Sequence, residues 1–291
     1  MQQSENIRGA IYMCFSMIGF VFNDAVIKYA STDIGMYQSI FIRGCFAVII
    51  IGAACIHSGV FKKIPNKSDH KLIFWRTVAE IFATITFLTA LFYLPIANIT
   101  AILQALPLTV TLAASWFLGE KIGWKRGLAI LVGFFGVLLI IQPGTDEFNI
   151  YSILGIVCVA FVTLRDLVVR KFNRNISTLY VAFITAAAIA SIGGVLTFIY
   201  EGWTPMKLSE ITLLFIASCL IFMGYYFAIS AMRNGQVSFV SPFRYTIMIW
   251  AILLGYFIWG DIPNNLTLLG ISIVIGMGIF TFWREARTQK K

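Results

Sequence analysis

Ten apolar stretches, each long enough to cross the roughly 30 Å hydrocarbon core of a bilayer, follow one another along this chain with only short polar connections between them. They run over about 9–29, 36–58, 71–94, 97–117, 127–142, 151–172, 177–200, 207–231, 236–258 and 266–284. A backbone in lipid has no water to bond to, so each stretch must be a helix or one strand of a closed barrel. The stretches lack the alternation of barrel strands, so helices are expected. The fold class is then an all-α membrane protein with ten transmembrane helices, referred to below as spans one to ten.

Composition excludes the soluble alternative. Only 12% of the 291 residues are charged, against about 25% in a soluble domain, and the mean hydropathy is +0.86. A soluble core of this size needs a charged coat that this chain cannot supply. The five cysteines (Cys14, Cys45, Cys55, Cys158 and Cys219) all fall within apolar runs, without a CxxC pair. They read as small hydrophobes in packed helices, with neither a disulfide framework nor a metal site expected.

The net charge of +9 raises the question of nucleic acid, but the basic residues form no patch. They occupy alternate connections. Arg8, Lys62, Lys63, Lys67, Lys71, Lys121, Lys125, Arg126, Arg170, Lys171, Arg174, Arg233, Arg284, Arg287, Lys290 and Lys291 would lie on one side, with Lys28 and Lys207 on the other. The opposite connections are acidic, with Asp33, Asp146, Glu147, Glu201, Glu210 and Asp261. By the positive-inside rule both termini are cytoplasmic, in a cell membrane that would be the inner one of a bacterium. No small-residue cleavage site follows the first run, which therefore reads as a retained helix.

The halves echo each other. FVFNDAVIKYAST near the end of span one parallels FVTLRDLVVRKFN in span six, setting Asp24 against Asp166. WFLGEK parallels YFIWGDI, setting Glu120 against Asp261, and GLAILVG parallels GISIVIG. Three matches in order at nearly constant offset point to a duplication of residues 1–145 as 146–291. Each repeat holds five spans, an odd number, so the second enters the membrane upside down. Inverted repeats of this kind enclose a site near the bilayer middle and open it to either side by rocking.

Few ionisable residues lie well inside spans: Asp24, Arg43, Arg76, Glu80, Arg165, Asp166 and Arg244. At about 1.5 Å per residue, Glu80, Arg165, Asp166 and Arg244 fall roughly 9–13 Å from the cytoplasmic ends of their spans. Asp24 and Arg43 form a second layer roughly 8–10 Å from the other side. Arg244, in VSPFRYTIMIWAILLG, has two readings: a cation lining a cavity and binding a substrate carboxylate, or a structural ion pair with Glu80 or Asp166. Exposure of a lone arginine to lipid is too costly to be a third. Arg76 and Glu80, four apart, share a helix face and read as a structural pair. Asp24, Asp166 and Glu80 are candidates for proton coupling, because taking a carboxylate out of water favours its protonated form. Pairing with Lys28, Arg43 or Arg165 is the equal alternative for Asp24 and Asp166.

Pro242 leaves the carbonyl of Ser238 without its helical partner, and Pro107, beside Gln104, does the same for Leu103. Helices broken near mid-membrane offer loosened backbone to substrates, or simply kink for packing. Aromatic residues gather at Phe87, Phe92 and Tyr93, at Tyr225, Tyr226 and Phe227, and at Phe243, Tyr245 and Trp250. A planar or cationic ligand can stack on such walls, and Tyr245 is the one expected to face a cavity. Small residues at Ala187/Ser191, Ala190/Gly194 and, less regularly, Gly133 and Gly136 mark helix contacts.

LPIANITAILQALPLTVTLAASWFLGEKIGWKRGLAILVGFFGVLLIIQPG, Leu94–Gly144, resembles the signature of the EamA branch of the drug/metabolite transporter superfamily. The resemblance implies ten helices in two five-span repeats, a central cavity, and peripheral fifth and tenth spans. NDAVIKY (Asn23–Tyr29) with SPFRY (Ser241–Tyr245) is similar to the subgroup of S-adenosylmethionine uptake carriers. It implies Asn23, Asp24, Lys28, Arg244 and Tyr245 as site residues.

The function expected is secondary transport of a small polar or amphipathic organic metabolite, such as an amino acid or an S-adenosylmethionine-like or vitamin-like compound, by alternating access through a central cavity. The substrate-binding set is Arg244, Tyr245, Asn23, Asp24, Glu80, Gln104, Arg165 and Asp166. There is no GxxxxGK[ST] loop for ATP. The partners are a small-molecule substrate and the lipid bilayer, with a homodimer left open and neither nucleic acid nor cofactor expected. A channel or a non-transporting scaffold is the alternative. An intramembrane enzyme is disfavoured, because His57 and His70 lie at or beyond the end of span two and neither HExxH nor GxSxG occurs.

Overall fold

The computed structural model describes residues 2–30, 33–62, 67–119, 123–146, 148–172, 176–234 and 237–289. Among them are ten helices long and apolar enough to cross a membrane, and no strand. The spans are Glu5–Ala30, Met36–His57, Asp69–Tyr93, Ile96–Phe117, Trp124–Ile141, Tyr151–Val169, Thr178–Glu201, Leu208–Ala231, Ser241–Trp259 and Asn265–Arg284. Ten crossings return the chain to the side on which it starts. Glu120, Lys63, Lys121, Glu147, Arg174, Lys290 and Lys291 lie outside the described residues, so the Glu120–Asp261 correspondence has no structural counterpart here.

Two spans are interrupted, both at the expected prolines. Span four is helical over Ile96–Leu103, turns at Gln104 and Ala105, and resumes at Leu106–Leu118. Span nine begins as Val237–Val240, tightens into a 3₁₀ segment at Ser241–Thr246 around Pro242, and continues as Ile247–Leu254. Each proline removes one N–H from the helical ladder, and the chain takes up the loss as a turn or a tighter winding.

Span one packs on span eight, three on six, two on seven, four on nine and five on ten. Exchanging every span for the one five positions away leaves this pairing unchanged. The contacts differ in chemistry. Spans one and eight meet at glycines, where a Cβ on Gly19 would lie 2.8 Å from the Leu220 carbonyl and 2.9 Å from the Gly224 nitrogen. Spans two and seven meet where Gly44 faces Ala190 and Phe41 covers Gly194. Small residues allow such close backbone approach in lipid, where burial of apolar surface gives helices little reason to associate. Ala187/Ser191 is not part of that seam, since Ser191 is exposed and bonds the Ala187 carbonyl one turn back.

Apolar packing is concentrated away from the chain termini. The largest cluster joins Val21 and Ile27 of span one with Ile40, Leu91, Leu94, Ile96 and Ala251. All sit in the membrane half opposite the termini. There the Lys28 ammonium donates to the Leu94 carbonyl and lies 5.3 Å from the Trp259 ring centre. Tyr93 and Tyr151 stack at 3.9 Å with ring planes 9° apart, and Asn149 donates to the Tyr93 carbonyl at 3.3 Å.

Candidate functional site

The half nearer the termini holds the charge. On span three, Arg76 and Glu80 stand one helical turn apart with Nη2 3.3 Å from Oε2. Span six approaches the same carboxylate, placing Arg165 Nη1 3.1 Å from Oε1 and 3.0 Å from Oε2. The remaining edge of that guanidinium turns to its neighbour, with Nε 2.9 Å and Nη2 2.8 Å from Asp166 Oδ1. Arg76 also donates to the Thr185 hydroxyl on span seven. Glu80 is buried, and both its oxygens are occupied. Such fully bonded pairs are how ions are accommodated inside a membrane protein.

Arg244 differs. It occupies the 3₁₀ segment of span nine and is exposed, and among the described residues it makes no hydrogen bond or ion pair. Asp166 and Arg165 of span six are the charged side chains whose fields reach it. The neighbouring Phe243 serves another face. With Phe239, Ile7, Ile11, Phe15 and Ile18 it lines a wholly apolar groove of about 380 Å³ beside span one.

The second layer lies farther from the termini. Asn23 is buried and bridges two charges, donating to Asp24 Oδ1 at 2.9 Å and accepting from Arg43 Nη1 at 3.2 Å. Ser218 of span eight donates to the Arg43 carbonyl at 3.0 Å. Gln104 sits at the break of span four, its amide donating to the Thr100 carbonyl at 3.0 Å.

Two expectations require correction. Of the two readings of Arg244, the ion pair with Glu80 or Asp166 is absent, and Arg165 contacts both carboxylates instead. Tyr245 does not face a cavity. It is 5% exposed, its hydroxyl is buried without a partner, and a Cβ on Gly278 of span ten would lie 1.6 Å from that oxygen. Successive residues of a 3₁₀ turn point about 120° apart, so Arg244 and Tyr245 cannot share one direction.

Two residues of the cluster escaped the sequence-based set. Thr185 anchors Arg76 and lies 3.5 Å from the Thr77 hydroxyl, but one threonine in an apolar span carries no signal. Tyr225, named only as one of several aromatics, is exposed on span eight and packs edge-on against Phe20 with centroids 5.1 Å apart. The charges of Glu80, Arg165, Arg76 and Arg43 all reach its hydroxyl.

Known proteins resemble this chain over nearly its whole length. One solved crystal structure superposes with a TM-score of 0.65 over 99% of both chains at 16% identity, which establishes the fold. An S-adenosylmethionine uptake transporter of Rickettsia conorii is 23% identical over 98% of this chain and 96% of its own. A riboflavin transporter of Vibrio cholerae is 24% identical over 98% and 96%. A pseudopaline exporter of Pseudomonas aeruginosa is 20% identical over 92% and 93%. The relatives are transporters of small molecules, consistent with a multi-pass membrane protein. The model of the EamA-like transporter family matches twice, over residues 7–142 and 149–283, and the chain belongs to that family.

Proposed function

We propose that this protein is a secondary carrier that moves a small polar or amphipathic organic metabolite by alternating access between two five-span halves, 1–145 and 146–291, of opposite orientation. The pairing of spans, unchanged when each is exchanged for the one five away, supports the two-fold relation. The observation that carries the reading is Arg244, a cation in a broken span that is exposed and unpaired among the described residues, while Arg76, Glu80, Arg165 and Asp166 are bonded to one another. A cation in that position costs several kcal/mol unless water or a ligand surrounds it.

Arg244, Asp166 and Gln104 supply contacts for the ligand. Glu80 and Arg165 hold the cluster in place, and Asn23 and Asp24 form the next layer. Dry packing opposite the termini and exposed charge near them correspond to a state open on the terminal side. By the positive-inside rule that side is the cytoplasm, in a cell membrane. S-adenosylmethionine, riboflavin and pseudopaline, the compounds named for the relatives, are the first substrates to test.

Purified protein in vesicles, preloaded with each compound, tests the reading. A carrier gives saturable uptake accelerated by counterflow, and Arg244→Ala abolishes it while the protein remains folded and inserted. Uptake without saturation or counterflow would indicate a channel. No flux of any compound would favour a scaffold.

A further inference from the structure

Span three ends without helical partners for its last carbonyls. Pro95 has no N–H, and the Asn98 amide bonds the Pro95 carbonyl at 3.0 Å rather than that of Leu94. The two carbonyls next to the break take donors from elsewhere in the chain. Asn149, just before span six, donates to the Tyr93 carbonyl at 3.3 Å. Lys28 of span one donates to the Leu94 carbonyl. The carbonyl end of a helix carries partial negative charge, which favours a cation there. The same ammonium lies 5.3 Å from the ring centre of Trp259, at the end of span nine, and the aromatic face adds attraction.

Lys28 thereby joins spans that otherwise pack in different groups. Span one lies on span eight, whereas spans three and nine lie on spans six and four. On this side of the membrane Ala25 of span one shares an apolar cluster with Leu91 of span three and Ala251 of span nine. Apolar contact alone gives helices in lipid little reason to associate. A hydrogen bond from a charged group across that seam therefore weighs heavily in whether it parts.

We propose that Lys28 is the latch of the side opposite the termini. Its ammonium, held between the Leu94 carbonyl and the Trp259 ring, keeps span one against spans three and nine, and its release lets the seam open. This rests on the alternating-access reading and adds to it the group that sets the balance between the two states. A lysine suits the role, because its flexible stem can carry the ammonium from the carbonyl to water. Parting Glu80 from Arg165 would instead separate two buried charges, at far greater cost.

The test is maleimide labelling of the purified full-length protein, in a background lacking the five free cysteines. Ala25→Cys reports on the seam, because Ala25 is buried in the cluster beside the latch. Ala231→Cys is the control, because Ala231 is buried with Met13 and Val240 nearer the termini. Lys28→Met keeps a long stem and removes the donor. It should speed labelling at position 25 by about tenfold or more, the size expected for losing a hydrogen bond from a charged group, and leave position 231 unchanged. Lys28→Arg, which keeps a donor, should stay close to the parent, and Trp259→Leu should give a smaller rise than Lys28→Met. Labelling at position 25 unmoved by Lys28→Met overturns the latch. A rise at both positions marks general loosening and overturns it equally. The measurement needs no substrate, so labelling decides the latch, whereas counterflow in wild type decides the carrier reading.

Discussion

Arg165 and Glu80 meet face to face across the contact of spans six and three, one guanidinium nitrogen lying 3.1 and 3.0 Å from the two carboxylate oxygens. Glu80 is 9% exposed, so removing Arg165 leaves it only Arg76, and removing Glu80 leaves Arg165 only Asp166. Removing one member of such a pair costs about 3–5 kcal/mol, whereas replacing both by neutral groups costs less. Glu80→Gln and Arg165→Gln should each lower the unfolding temperature in detergent, and the double variant should recover part of the loss. A double variant no more stable than either single one would mean that the pair does not act as a unit.

Tyr245 gives a prediction of opposite sign. Its hydroxyl is buried, unpartnered and seated in the space left by Gly278. An unmet buried hydroxyl is a cost that phenylalanine does not carry. Tyr245→Phe should leave thermal stability unchanged or raised and transport intact. Gly278→Ala should lower stability, because the added methyl overlaps the ring. Loss of transport in Tyr245→Phe with stability preserved would return the hydroxyl to the ligand site.

Span positions, the two proline breaks and the charged layers were legible in the sequence because each depends on residue type and count alone. Direction was not. A helix apolar all round has no periodic stripe to show which side meets its neighbours, so span eight gave no sign that Tyr225 packs on Phe20 of span one. The 3₁₀ winding at Ser241–Thr246 shifts the angular position of every residue after Pro242. Arg244 and Tyr245, joined by motif resemblance, point apart as adjacent helical residues do, by about 100° in an α-helix and about 120° in this winding. Partner choice was also hidden. Three carboxylates and four arginines within spans allow several pairings, and only packing selects Arg165 for both Glu80 and Asp166.

Glu201, the last residue of span seven, fastens that end to the start of span two. Its carboxylate accepts the Tyr37 N–H at 3.0 Å and the Gln38 N–H at 3.1 Å, two donors that a helix N-terminus leaves without internal partners. A Cβ on Gly35 would lie 2.3 Å from its Oε2. Glu201→Ala should cost about 0.5–2 kcal/mol, the usual loss for a cap, and Gly35→Ala should resemble it. Hydrogen exchange at Tyr37 and Gln38 reads the effect locally. Unchanged protection at those amides would remove the cap.

Asp24 differs from Glu80 in having no guanidinium against its oxygens at ion-pair distance among the described residues; its contact is the Asn23 amide at 2.9 Å. Such a carboxylate can take up a proton without breaking an ion pair, so it is better suited than Glu80 to coupling. Asp24→Asn should abolish uptake driven by a pH gradient while preserving substrate counterflow, which needs no proton. Gradient-driven uptake unaffected by the substitution would exclude Asp24 from coupling.

Under the proposed alternating access the half opposite the termini would have to open, and there the stacked pair Tyr93–Tyr151 joins the end of span three to the start of span six. Those spans are the ones Arg165 and Glu80 hold together nearer the termini. Opening would therefore part the tyrosines while pivoting near the ion pair. In a background lacking the five free cysteines, Tyr93→Cys with Tyr151→Cys can be joined by a short bifunctional maleimide. Joined protein should lose counterflow yet still bind substrate from the terminal side, and each single-cysteine variant treated alike should keep it. Counterflow surviving the cross-link would show that substrate passes without separation of these two spans.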